Sequence, residues 1–191
     1  MGIFDTLLGR TKPAKPDLDQ LFAVPSAALT LQAATAFSPT GVGSVCYRAA
    51  EGAAFASTQS DVQQLLDADE GPDVERSTDS FGYTWLICRA DDQDMSALVT
   101  DLHAVNTSLE GNGFGPSLLC SMVVFADDAG RRLGLVYLYK QGTFYPFAPL
   151  DGQRRDNALE LQVRGVLAND LRIEPDLGRW LAVWGAPGLD G

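Results

Sequence analysis

Residues 133–166, LGLVYLYKQGTFYPFAPLDGQRRDNALELQVRGV, constrain the fold more than any other part of this chain. Leu133 to Lys140 places Leu133, Leu135, Tyr137 and Tyr139 on one side and Val136 and Leu138 on the other. That period of two belongs to a strand. An aromatic turn and strand, GTFYPFAP, follows, and after a polar link the period changes to that of a helix. Asn157 with Glu160 resembles a capping box, and Leu159, Val163, Val166 and Leu167 form the inward stripe. Strands followed by an amphipathic helix in this way favour a mixed fold of strands and helices.

The same pattern extends upstream. SLLCSMVVFA (117–126) reads as a strand and DDAG as a turn, so residues 117–148 form an antiparallel meander. Phe81 to Arg89 and GSVCYR (43–48) read as further strands, the latter preceded by a turn at Pro39, Thr40 and Gly41. Leu98, Leu102, Val105 and Leu109 recur at helical spacing. Asp91, Asp92 and Asp94 favour the positive end of that helix, and Gly111, Asn112 and Gly113 stop it. Another helix is expected from near Ser57 or Ser60, and Asp17 can cap a brief helix carrying Leu18, Leu21 and Phe22. Residues 26–33 fit helix or strand. The expectation is an α+β fold, a mainly antiparallel sheet with helices packed on one face. Residues 1–16 form a short N-terminal helix and a Pro-containing linker, and residues 17–191 a single domain.

A formal net charge of −11 opposes binding to a phosphate backbone, so no nucleic-acid partner is expected. No apolar run reaches membrane-spanning length and no secretory signal opens the chain, which predicts a soluble cytoplasmic protein. The extreme N-terminus is locally positive: Ile3 and Phe4 with Arg10, Lys12 and Lys15 could touch an anionic surface, at most a peripheral membrane contact. MGIFDT also fits the myristoylation pattern.

Catalytic chemistry is hard to assemble from these residues. Cys46, Cys88 and Cys120 are odd in number, lack metal-ligand spacing, and sit in apolar contexts where a buried free thiol is the commoner role. His103 is the only histidine, which rules out a multi-histidine metal site, although Asn106 and Glu110 would share its helix face. LDADEGPD begins like a calcium loop but places Gly71 at a ligand position. GVGSVC lacks the third glycine of a dinucleotide fingerprint. Neither catalytic residues, nor a cofactor, nor a metal is assigned. The best recognition candidates are Phe144, Tyr145, Phe147, Trp180 and Trp184, with core packing the commoner use of such aromatics.

The blocks GRTKPAKPDLDQLFAVPSAALTLQ, GVGSVCYRA, YTWLICR, VTDLHAVNTSLE, GFGPSLLCS, LVYLYKQGTFYPFAP, RDNALELQVR and RWLAVWGAPGL run from residue 9 to residue 189. In these the chain resembles the PspA-associated PspAB family. The resemblance implies partnership with PspA, the membrane-remodelling coiled-coil protein of the phage-shock envelope-stress response. It also implies a membrane-bound heat-shock metalloprotease as a further partner, and it carries over no catalytic residue. The leading expectation is a non-enzymatic cytoplasmic adaptor or regulator with the aromatic turn or the tail as its docking element. The alternative is a small-molecule or peptide-binding sensor with a pocket between sheet and helices lined by Tyr83, Trp85, Tyr137, Tyr139 and Tyr145. An enzyme centred on His103 ranks below both.

Overall fold

A computed structural model describes residues 16–48, 60, 64 and 74–189. The expected N-terminal helix and linker, the contact residues Ile3, Phe4, Arg10, Lys12 and Lys15, and nearly all of the helix expected after Ser57 lie outside the described residues.

The strands are β1 (Ser38–Arg48), β2 (Val74–Thr78), β3 (Tyr83–Arg89), β4 (Leu118–Ala126), β5 (Arg132–Leu138) and β6 (Thr143–Phe147). They form one sheet in the order β2-β3-β1-β4-β5-β6, with every neighbouring pair antiparallel. A small ribbon, β7 (Pro149–Leu150) with β8 (Arg154–Arg155), follows. The helices are α1 (Val24–Ala34), α2 (Met95–Gly111) and α3 (Asn157–Leu167). The expected α+β fold is the fold found, and β4, β5 and β6 are the expected meander.

Alternation along the strands builds two apolar clusters, one on each face of the sheet. Val45, Leu86, Cys88, Val123, Leu135, Tyr137 and Phe144 meet the inward stripes of α1, α2 and α3. Cys46, Trp85, Met122, Val124, Val136, Tyr145 and Phe147 face the other way, against Trp180, Ala186 and Leu189 of the C-terminal tail. Helices therefore occupy one face and an irregular tail the other. The tail also guards the sheet edge: Ile173 bridges Phe144 in parallel, with the Phe144 amide donating to the Arg172 carbonyl and the Glu174 amide to the Phe144 carbonyl, each at 2.8 Å.

Several local expectations change in detail. Residues 26–33 are helical, within α1. The turn expected at Pro39–Gly41 is a register shift inside β1, which Gly41 permits. Its φ is +71°, and an added Cβ would lie 2.2 Å from the Ala90 carbonyl oxygen. Of the three aspartates expected at the positive end of α2, Asp94 is the N-cap, accepting from the Ala97 amide at 2.9 Å. The α3 cap sits one residue earlier than the expected Asn157. Asp156 accepts from the Leu159 amide at 3.0 Å, and Glu160 turns inward. Strand β2 has no counterpart in the sequence reading, because VERST is polar apart from its buried Val74 and carries no alternation to see.

Burial sets an alkaline limit on this core. Desolvation pushes the Tyr137 hydroxyl, which donates to the Asp17 carbonyl at 2.7 Å, up to about 12, and the Cys88 thiol up to about 12 as well. Both values are raised above those of the unfolded chain, near 10 and 9. Their contribution to stability is complete below the unfolded values and is lost as pH climbs toward the folded ones. The thermal midpoint should therefore fall between about pH 9 and about pH 12, with tyrosinate absorbance rising together with unfolding. A thermal midpoint that stays level across that range would contradict this assignment.

Candidate functional site

Where the C-terminal tail crosses the sheet it leaves a cleft of about 650 Å³ uncovered. Its floor is made by side chains that alternation sends away from the helices: Cys46 and Cys120, directly opposite each other on β1 and β4, with Trp85 on β3 and Tyr145 on β6. Leu181, Val183 and Trp184 form the tail-side wall. Hydrogen bonds and ring contacts fix that wall. The Tyr145 hydroxyl donates to the Leu181 carbonyl at 2.9 Å, Trp180 stacks on Tyr145 at 6.0 Å, and Trp184 meets Phe147 edge-on at 4.9 Å.

Asp79 organises the opposite wall. One carboxylate oxygen accepts from the backbone amides of Phe81 at 2.9 Å and Tyr83 at 3.0 Å, and the other from the Trp85 indole at 2.9 Å. This is an Asx turn that shapes the β2–β3 hairpin and locks the orientation of Trp85. The mouth carries Arg48, Lys140 and Arg179. Arg179 pairs with Glu174 and Asp176. Among the described residues, Arg48 and Lys140 have no carboxylate within ion-pair distance. Arg48 lies over the Tyr83 ring at 5.6 Å, and the Lys140 ammonium donates to the Pro116 carbonyl at 2.8 Å.

Of the pocket residues expected from sequence, Tyr83, Trp85 and Tyr145 line this cleft, whereas Tyr137 and Tyr139 belong to the helix-side core. The expected pocket between sheet and helices is thus corrected to one between sheet and tail. The side-chain period could have separated these residues, since Tyr137 on β5 and Tyr139 just beyond it fall to one side and Leu138 to the other.

The aromatic candidates need a similar correction. Phe144, Tyr145, Phe147 and Trp180 are buried, and only Trp184 is half-buried. GTFYPFAP is a core strand with both faces covered, not an outward turn. Exposed apolar groups lie elsewhere. Leu161 on α3 and Leu177 at the start of the tail flank Trp180 around a second hollow of about 330 Å³.

His103 lies on the helix side, away from the cleft. It packs on Phe22 at 4.8 Å, 3.5 Å from the exposed Asp19 carboxylate. Its supposed helpers are engaged elsewhere. Asn106 is buried and donates to Ser121 and to the Leu102 carbonyl, each at 2.8 Å, and Glu110 accepts from the Tyr139 hydroxyl. All three cysteines are buried free thiols. The Cys46 thiol is held in its protonated form first by its hydrogen bond with Cys120 and then by burial, which suppresses nucleophilicity. Among the described residues no cluster of His, Cys, Asp or Glu is arranged to hold a metal ion. None of their helices is long and apolar enough to cross a membrane.

No curated protein and no solved structure matches this chain. A family model does: PspAB, described as PspA associated protein B, matches residues 1–188.

Proposed function

Because this chain belongs to the PspAB family of PspA associated proteins, we propose that it is a non-enzymatic adaptor or regulator of a PspA-type envelope-stress system. It would work in the cytoplasm, with at most peripheral membrane contact through its first fifteen residues, and a membrane-bound heat-shock metalloprotease would be a further partner. Family membership along nearly the whole chain carries this reading. Leu161 at 50% exposure and Leu177 at 52%, on either side of the hollow over Trp180, suit one apolar row of a long partner helix. Tagged protein should co-purify with the PspA of its own cell, and the exchange of both leucines for aspartate should remove that partner without unfolding the chain. Absence of PspA before and after envelope stress would overturn the proposal.

The cleft supports a second reading, a sensor that binds a small molecule. It is of ordinary ligand-site size, apolar inside, with polar groups gathered at its mouth. An enzyme built on His103 draws no support from the helix-side packing of that residue.

A further inference from the structure

Resting on the sensor reading, we propose that the cleft binds a single-chain amphipathic anion: one long acyl chain bearing a carboxylate or phosphate head. The shape of the cleft argues first for an elongated body. Its lining takes residues from β3, β1, β4 and β5, four strands in spatial succession, and Tyr145 on β6, buried beneath Trp180, closes the far end. Three inter-strand steps at about 4.8 Å give a run of about 14 Å across the sheet. That length accommodates an extended acyl chain laid across the strands and exceeds a single ring. The lining it would meet, the half-buried Leu119 and Leu138 above the buried Trp85 and Cys120, offers the chain almost no polar contact.

Charge then argues for an anionic head. Arg48 closes β1 and Lys140 follows β5, and in this antiparallel sheet those positions fall at the same end. Both side chains are exposed, and the carboxylates of the chain leave them unpaired among the described residues. Placement makes this notable. On a chain of net charge −11, Lys140 is the only lysine beyond residue 15, and it stands at the mouth of this cleft. Asp79 is the one carboxylate of the lining, and its oxygens are already occupied by three N–H donors. An anionic head would meet two cations there, while a cationic head would meet repulsion.

The test uses the full-length protein and monomeric amphiphiles. Palmitate, lysophosphatidate, hexadecanol and a naphthoate are titrated by calorimetry, and a bromine-labelled palmitate is used to quench tryptophan fluorescence. Palmitate or lysophosphatidate should bind, and the stronger of the two identifies the source as free acid or lysolipid. The brominated chain should quench Trp85. Exchange of Arg48 and Lys140 together for glutamine should weaken binding by about tenfold or more, with Arg48→Lys and Lys140→Arg retaining it. Hexadecanol binding as tightly as palmitate would overturn the anion while leaving the sensor reading intact. Tighter binding of naphthoate would overturn the chain in the same way. If none of the four binds, both readings fail. Because Arg48 and Lys140 are exposed, the glutamine variant should fold, and an unchanged thermal midpoint verifies that.

Discussion

Glu160→Ala should lower the unfolding free energy by about 3–5 kcal/mol, the usual cost of removing one partner from a buried ion pair. Its carboxylate is almost fully buried and accepts from the Ala148 amide at 2.9 Å and from Arg155 at 2.9 Å. Arg155 in turn donates to the Trp180 carbonyl and lies over the Phe147 ring at 5.0 Å. One carboxylate therefore ties α3 to the end of β6 and to the tail. Alanine would strand a buried amide and leave a mostly buried guanidinium without its anion. Glu160→Gln keeps an acceptor for the Ala148 amide and should cost less, about 1–2 kcal/mol. Denaturant unfolding of the three proteins measures both differences. Equal losses for alanine and glutamine would show that the charge, and not the acceptor, carries the stabilisation.

The second large effect is expected at the contact between α2 and β1. Leu102 is fully buried, and Leu102→Ala should cost about 2–5 kcal/mol in lost transfer energy and cavity formation. The helix lies close here because Gly43 has no side chain. A Cβ on Gly43 would come within 3.0 Å of Leu102 and 3.1 Å of Leu98. Gly43→Ala alone should therefore destabilise by about 1–3 kcal/mol through overpacking. Combined with Leu102→Ala it should cost less than the sum of the two, because the new methyl enters the vacated space. A strictly additive double mutant would show that the helix, and not the Leu102 side chain, fixes the distance.

The aromatic strand shows where sequence reading stopped. Phe144, Tyr145 and Phe147 were recognisable as fold-specifying residues, yet nothing local distinguished a strand covered on both faces from an outward turn. What covers the second face is the segment 180–189, some thirty residues later, which has irregular structure and therefore no period. Glu160 makes the same point. At the third position of an expected capping box it read as a helix-start residue, but the amide it satisfies belongs to Ala148, across a ribbon.

The sequence by itself determined the order and type of most elements, the meander, the stripes of α2 and α3, and the family, because side-chain period and local turn chemistry act over a few residues. The tertiary structure alone decided which face of the sheet holds the cleft, which aromatics line it, and that Arg48 and Lys140 fall at the same end of it. Those depend on strand order and on the path of the tail across the sheet, contacts between residues far apart in the chain whose pairing leaves no local periodic trace.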